Sequence, residues 1–124
     1  MNPTEVPVSR SYQCIDVEQA GEVCIAHLRP GSLDDPWMQR LGEELLSLIE
    51  EDGHRKLLIH FGAMECLYSV LLGKLMSVQR AMEAYGGRLK LCAVAPHARE
   101  VFRICKLEGF FEFTPDRETG LRDW

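Results

Sequence analysis

Ser69 is the residue whose position could carry chemistry. An apolar run, Leu57-Leu58-Ile59, stops at His60, and a pattern of helical period then runs to Gly86-Gly87, with Ser69 at its head. A hydroxyl at that point has two uses. It can cap free helix amides. It can also accept a phosphate, which brings about −1.5 to −2 charges near neutral pH and sits beside the positive end of the helix dipole. The residues alone leave both open.

Other reactive side chains form no recognisable set. His60 closes the apolar run and Cys66 lies in the following loop, so base and thiol could approach, with Cys92 a further thiol. No third group is placed to orient the base, and an enzyme is not expected. His27, His54, His60 and His97 show neither HxxxH nor HxH spacing, so no metal site is expected. Gly62, Gly73, Gly86 and Gly87 fit neither a phosphate loop nor a dinucleotide fingerprint, and no cofactor is implied.

The elements that must position Ser69 follow from periodicity and breakers. Tyr12–Gln19 and Glu22–Leu28, split by Ala20-Gly21, read as an antiparallel hairpin with the second strand the more buried. Asp34 or Asp35 can cap a helix with Pro36 in its first turn. Its apolar stripe is Trp37, Met38, Leu41, Leu45, Leu48 and Ile49, and Gly53 supplies the left-handed stop. Glu43, Glu44, Glu50, Glu51 and Asp52 read as that helix's solvated face.

A strand at Arg55–His60 follows, buried on both faces. The Ser69 helix then buries Leu71, Leu72, Leu75, Met76, Val78 and Met82. Arg88–Val94 is a strand with Leu89, Leu91 and Ala93 on one face. The next helix, as far as Gly109, should bury Val101, Phe102, Ile104, Cys105 and Leu107. Phe110–Phe113 forms a short strand or plugs a core edge, and Thr114-Pro115-Asp116 starts a terminal helical turn. The order β-β-α-β-α-β-α-β predicts an α/β fold. Its mixed sheet has four to five strands, the first pair antiparallel and the rest parallel, packed against helices.

The chain of 124 residues suits one domain, residues 12–124, behind a loose arm at 1–11. A net charge of −5 without a basic stripe argues against nucleic acid. No apolar run reaches the roughly 20 residues that span a bilayer, and the polar start has no signal-peptide core. A cytoplasmic location is expected. The five cysteines (Cys14, Cys24, Cys66, Cys92, Cys105) are odd in number and contain no CxxC, as suits reduced thiols.

Two segments carry a family resemblance: LLIHFGAMECLYSVLLGKL and AYGGRLKLCAVAPHAREVFRICKLEGFFEF. With the order of elements, they make the chain similar to a STAS domain, the fold of bacterial anti-sigma factor antagonists, from about Tyr12 to Phe113. Ser69, Leu72 and Gly73 match the family's loop-helix motif. Gly86-Gly87, Ala95-Pro96 and Leu107-Glu108-Gly109 match later landmarks. Tyr68 stands where the family has Asp, Val70 where it has Ser or Thr, and Leu71 where it has Gly. His60 and Gly62 replace an Asp and a Ser.

The resemblance implies a regulatory protein of signal transduction that binds a kinase-type anti-sigma factor and is released when Ser69 is phosphorylated. The surface implied comprises His60, Tyr68, Ser69, Val70 and Lys74. The alternative is a constitutive scaffold or homodimer within a signalling assembly, without a phosphate switch.

Overall fold

A computed structural model of the chain describes residues 12–29, 31, 34–62, 64 and 69–124. The strands are β1 (Ile15–Ala20), β2 (Val23–Leu28), β3 (Lys56–His60), β4 (Arg88–Cys92) and β5 (Glu112–Thr114). The helices are α1 (Asp35–Glu50), α2 (Ser69–Ala84), α3 (Pro96–Ile104) and α4 (Arg117–Gly120). The strands lie side by side in chain order, β1-β2-β3-β4-β5. β1 and β2 are antiparallel and every later pair is parallel.

That order decides which face each helix takes. A β-α-β crossover is right-handed in nearly all proteins. Three successive crossovers that step across the sheet in one direction must therefore put α1, α2 and α3 on the same face. Leu57, Ile59, Leu89 and Leu91 point there and join Leu41, Leu45 and Leu48 of α1, Leu71, Leu75 and Val78 of α2, and Phe102 of α3 in one core. Phe102 meets Phe111 and Phe113 edge-on at centroid distances of 5.2 and 5.0 Å.

The second face is left to the C-terminal segment. Val23, Ile25, Leu58 and Cys92 form a smaller buried cluster there, covered by Leu121 and Trp124. α4 is capped by Asp116, whose carboxylate accepts the Thr119 amide at 2.8 Å. Lys90, pointing to this face from a central strand, is only 2 % exposed. Its ammonium donates to the carbonyls of Gly120 (3.3 Å) and Arg122 and lies 4.5 Å from the Trp124 ring. A buried cation of this kind is tolerated because carbonyls and a ring face replace its water.

Local signals match the residues. Asp34 caps α1 by accepting the Trp37 amide at 2.9 Å, with Pro36 in the first turn. α2 ends in a Schellman turn. The Gly86 amide bonds to Glu83 and the Gly87 amide to Met82, with Gly86 at φ 76°. Gly87 answers a different need: a Cβ there would collide with Met82 Sδ and come within 2.6 Å of the Arg55 carbonyl.

Three expectations need correction. α3 stops at Ile104 rather than running to Gly109, because Lys106 takes φ 61° and closes another Schellman turn, Leu107 N–H to Phe102 and Lys106 N–H to Arg103. The early stop leaves Ile104 65 % exposed and Cys105 exposed, so neither belongs to the buried face. Ala93 lies beyond the end of β4 at φ 55°.

The third concerns Glu44, which is not solvated. It is 8 % exposed, and its carboxylate accepts the amides of Gln13 (3.0 Å) and Cys14 (2.8 Å) and the Arg40 guanidinium (3.1 Å). It pins the entry to edge strand β1 against α1.

Candidate functional site

α2 presents its buried stripe (Leu71, Leu72, Leu75, Val78, Met82) to the core and leaves Ser69, Gly73 and Arg80 facing outward. Ser69 is the first helical residue. Its side chain is exposed, and among the described residues its hydroxyl has no hydrogen-bond partner. The hydroxyl is therefore not spent on capping a described amide. A group attached to it would project into solvent near the amide-rich start of a 16-residue helix.

Leu71, at the position where the family motif has glycine, is fully buried. Its bulk fills the core and adds nothing to the outer surface. Val70 is half-buried against the same core. Lys74 lies on the α1 side of the helix. A Cβ on Gly42 of α1 would fall 2.6 Å from Lys74 Cδ and closer still to its Cβ and Cγ, so the lysine stem occupies the space that Gly42 leaves open. Tyr68 and Cys66 lie outside the described residues.

His60 does not join this group. Side chains alternate along β3, so with Leu57 and Ile59 in the helix-side core, His60 shares the second face with Leu58. Its register neighbours are His27 on β2 and Cys92 on β4, and the two imidazoles stand 5.0 Å apart. Burial holds the His60 ring below the usual histidine range, and His27 and Arg117 push the same way. His27 Nε2 lies 2.8 Å from Glu18 Oε1, and the same carboxylate receives the Arg117 guanidinium from α4. Those two bonds, Arg117 first, lower Glu18 to about 2.

The sequence reading missed this cluster of Glu18, His27, His60 and Arg117. Its signal lay in strand alternation: His27 follows Ile25 by two, and His60 follows Leu58 by two. Only the register, which pairs Asp16 with His27 and His27 with His60, brings them together.

The three thiols placed in the sheet region, Cys14, Cys24 and Cys92, are buried, and burial pushes them up to about 11, about 12 and about 12. Such thiols are poor nucleophiles at neutral pH. Among the described residues no group of three His, Cys, Asp or Glu side chains could hold a metal ion, and no helix is long and apolar enough to cross a membrane.

Comparison with known proteins agrees with this architecture. The family model for the STAS domain matches residues 15–120. The "Putative anti-sigma factor antagonist BtrV" of Bordetella bronchiseptica is 29% identical over 82 residues, covering 66% of this chain and 70% of that protein. An anti-sigma-factor antagonist (STAS) domain protein from Planctomyces limnophilus superimposes with a TM-score of 0.75 at 18% identity, over 84% of this chain and 92% of the other. The Bacillus cell fate determinant SpoIIAA in its phosphorylated form gives a TM-score of 0.64 at 21% identity, over 84% and 94% of the two chains. Five strands in this order, three helices on one face and a family match across nearly the whole chain lead to one conclusion: this protein belongs to the STAS domain family.

Proposed function

We propose that this chain is an anti-sigma factor antagonist that docks a kinase-type anti-sigma factor on the outward face at the start of α2, and that phosphorylation of Ser69 is its off-switch. The observation that carries the reading is the exposed Ser69 hydroxyl, without a hydrogen-bond partner among the described residues, at the head of a long helix. A phosphate there costs the fold little, since Ser69 is exposed and stands at the positive helix end. It would change what a docked partner meets from a small neutral group to a dianion. Buried Leu71 removes the objection that a leucine in the motif blocks the surface.

Val70 and Lys74 flank the docking face in this reading, and Tyr68 precedes it. His60 is demoted, since its ring faces the other side of the sheet. The relative from Bordetella bronchiseptica, named for anti-sigma antagonism, supports the partner class.

The test is a binding titration of the chain against each anti-sigma factor encoded in its own genome, with wild type, Ser69→Ala and Ser69→Asp. The reading predicts that Ser69→Ala binds like wild type, and that Ser69→Asp loses about tenfold or more, the order expected when a charge is placed unpaired in an interface. Equal affinity for all three variants would instead favour the constitutive scaffold, with Ser69 a bystander.

A further inference from the structure

The C-terminal segment, residues 116–124, lies as a strap across the second sheet face and is held at both ends. At the far end, Lys90 donates to the Gly120 and Arg122 carbonyls, and the Arg88 guanidinium donates to the Asp123 carbonyl. The Trp124 indole turns back to the Gly120 carbonyl at 2.8 Å. In the middle, Gly120 lies so close to the sheet that a Cβ would come within 2.9 Å of Leu58 Cδ1 and Thr114 Oγ1. At the near end the hold is ionic: Arg117 reaches across to Glu18 on β1.

That ionic end sits over the histidine pair. His27 shares the Glu18 carboxylate with Arg117, and the His60 ring lies tilted against His27 at a centroid distance of 5.0 Å. The charged and titratable groups around the pair come from every packed element. β1 supplies Asp16 and Glu18, and Asp16 is already bonded to Arg29 at 2.6 Å. β4 supplies the Cys92 thiol, the register neighbour of His60. The strap supplies Asp116, Arg117 and exposed Glu118, with Asp116 committed to the Thr119 amide.

We infer that this strap is a proton-sensitive clasp: two imidazoliums in the His27–His60 pair drive Arg117 off Glu18 and lift residues 116–124 from Ile25, Leu58 and Cys92. Glu18 is already shared by His27 and Arg117. With both rings charged, His60 meets His27 and Arg117 as like charges, and only Glu18 and Glu118 offset them. Arg117, whose other partner Glu118 is exposed on the strap itself, is the group that can swing into water.

The sign follows from linkage. His60 binds its proton more weakly under the strap than after release, so acid favours the released state. Strap stability is complete well above the ordinary histidine value of 6.5 and falls as pH drops below it. Glu18, held at about 2, stays ionised throughout that window and does not confuse the result.

Hydrogen exchange tests this on the intact chain at about pH 7.5 and about pH 5.5, with rates corrected for the intrinsic pH dependence of exchange. The reporters are the amides of Gly120, Leu121 and Arg122, which bond back to Asp116, Arg117 and Thr119. One titrating proton limits the gain in opening to about tenfold at about pH 5.5, so strap exchange should accelerate toward that ceiling. The amides of Leu58 and Ile59 should keep their rates. His60→Gln should make strap exchange independent of pH. Should that variant fail to fold, His27→Gln, which removes one ring of the pair and leaves buried His60 to titrate, should shrink the acceleration without abolishing it.

Equal strap protection at both pH values overturns the proposal. So does acceleration that persists in His60→Gln or is undiminished in His27→Gln, or protection lost by strap and sheet centre together.

Discussion

Replacing Glu44 by alanine should be the most damaging single change at a position whose sequence context reads as surface. The side chain is 8 % exposed and accepts two backbone amides and one guanidinium. Truncation leaves the Cys14 amide, on a fully buried residue, without an acceptor, at about 1–3 kcal/mol for an unmet buried donor. The Gln13 amide is nearer water and regains a partner there, so it adds about 0.5–1.5 kcal/mol, the worth of an ordinary hydrogen bond. Arg40, half-exposed, adds little.

The sum for Glu44→Ala is about 1.5–4.5 kcal/mol, a large part of the roughly 5–15 kcal/mol that holds a domain of this size. Glu44→Gln keeps the volume and one acceptor oxygen but turns an N–H toward one amide, and should cost about 1–2 kcal/mol. Urea unfolding followed by circular dichroism measures both, as a shift of midpoint at constant slope. A loss below about 0.5 kcal/mol for Glu44→Ala, the range of ordinary surface changes, would refute the claim that this carboxylate pins β1.

Two further substitutions probe the helix ends. Gly87→Ala should destabilise by about 1–3 kcal/mol through overpacking against Met82 and the Arg55 carbonyl, and thermal melting would show it as a drop of several degrees. Lys106→Gly should do the reverse and stabilise by up to about 1 kcal/mol, because a lysine now holds the left-handed position that closes α3; a melting point unchanged or lowered would count against that account of the turn.

Much of the frame was legible because each element announced itself locally. Asp34 with Pro36, the apolar period of α1 and the Gly86-Gly87 stop are signals within a few residues of the structure they specify. The mixed sheet followed from the alternation of strands and helices. The harder residues were those whose role depends on a distant segment. Glu44 sits among acids on a helix that bears its own hydrophobic stripe, and nothing nearby reveals that the amides of residues 13 and 14 arrive there.

Lys90 looks like the polar half of an alternating strand until the carbonyls of residues 120 and 122 cover it. Ile104 and Cys105 fit the α3 stripe by spacing, yet the chain turns at Lys106 before they reach the core. For the candidate site, the position of Ser69 at a helix head was readable from the serine and the periodicity after it. The separation of His60 from Ser69 was not, because it depends on which face the strand's last side chain takes.

The strands lie across the sheet in the order in which they are made. As the chain leaves the ribosome, the β1–β2 hairpin can close first, and each later crossover adds one strand to an edge already waiting. None of the described strands has to be threaded between two others, and β1 does not wait for β5 to find its pairing partner. The exception is the stretch that follows β5. Until residues 116–124 are released from the exit tunnel, the apolar patch of Val23, Ile25, Leu58 and Cys92 has no cover. The nascent chain is therefore prone to clump in the interval after β5 is added and before residues 116–124 emerge.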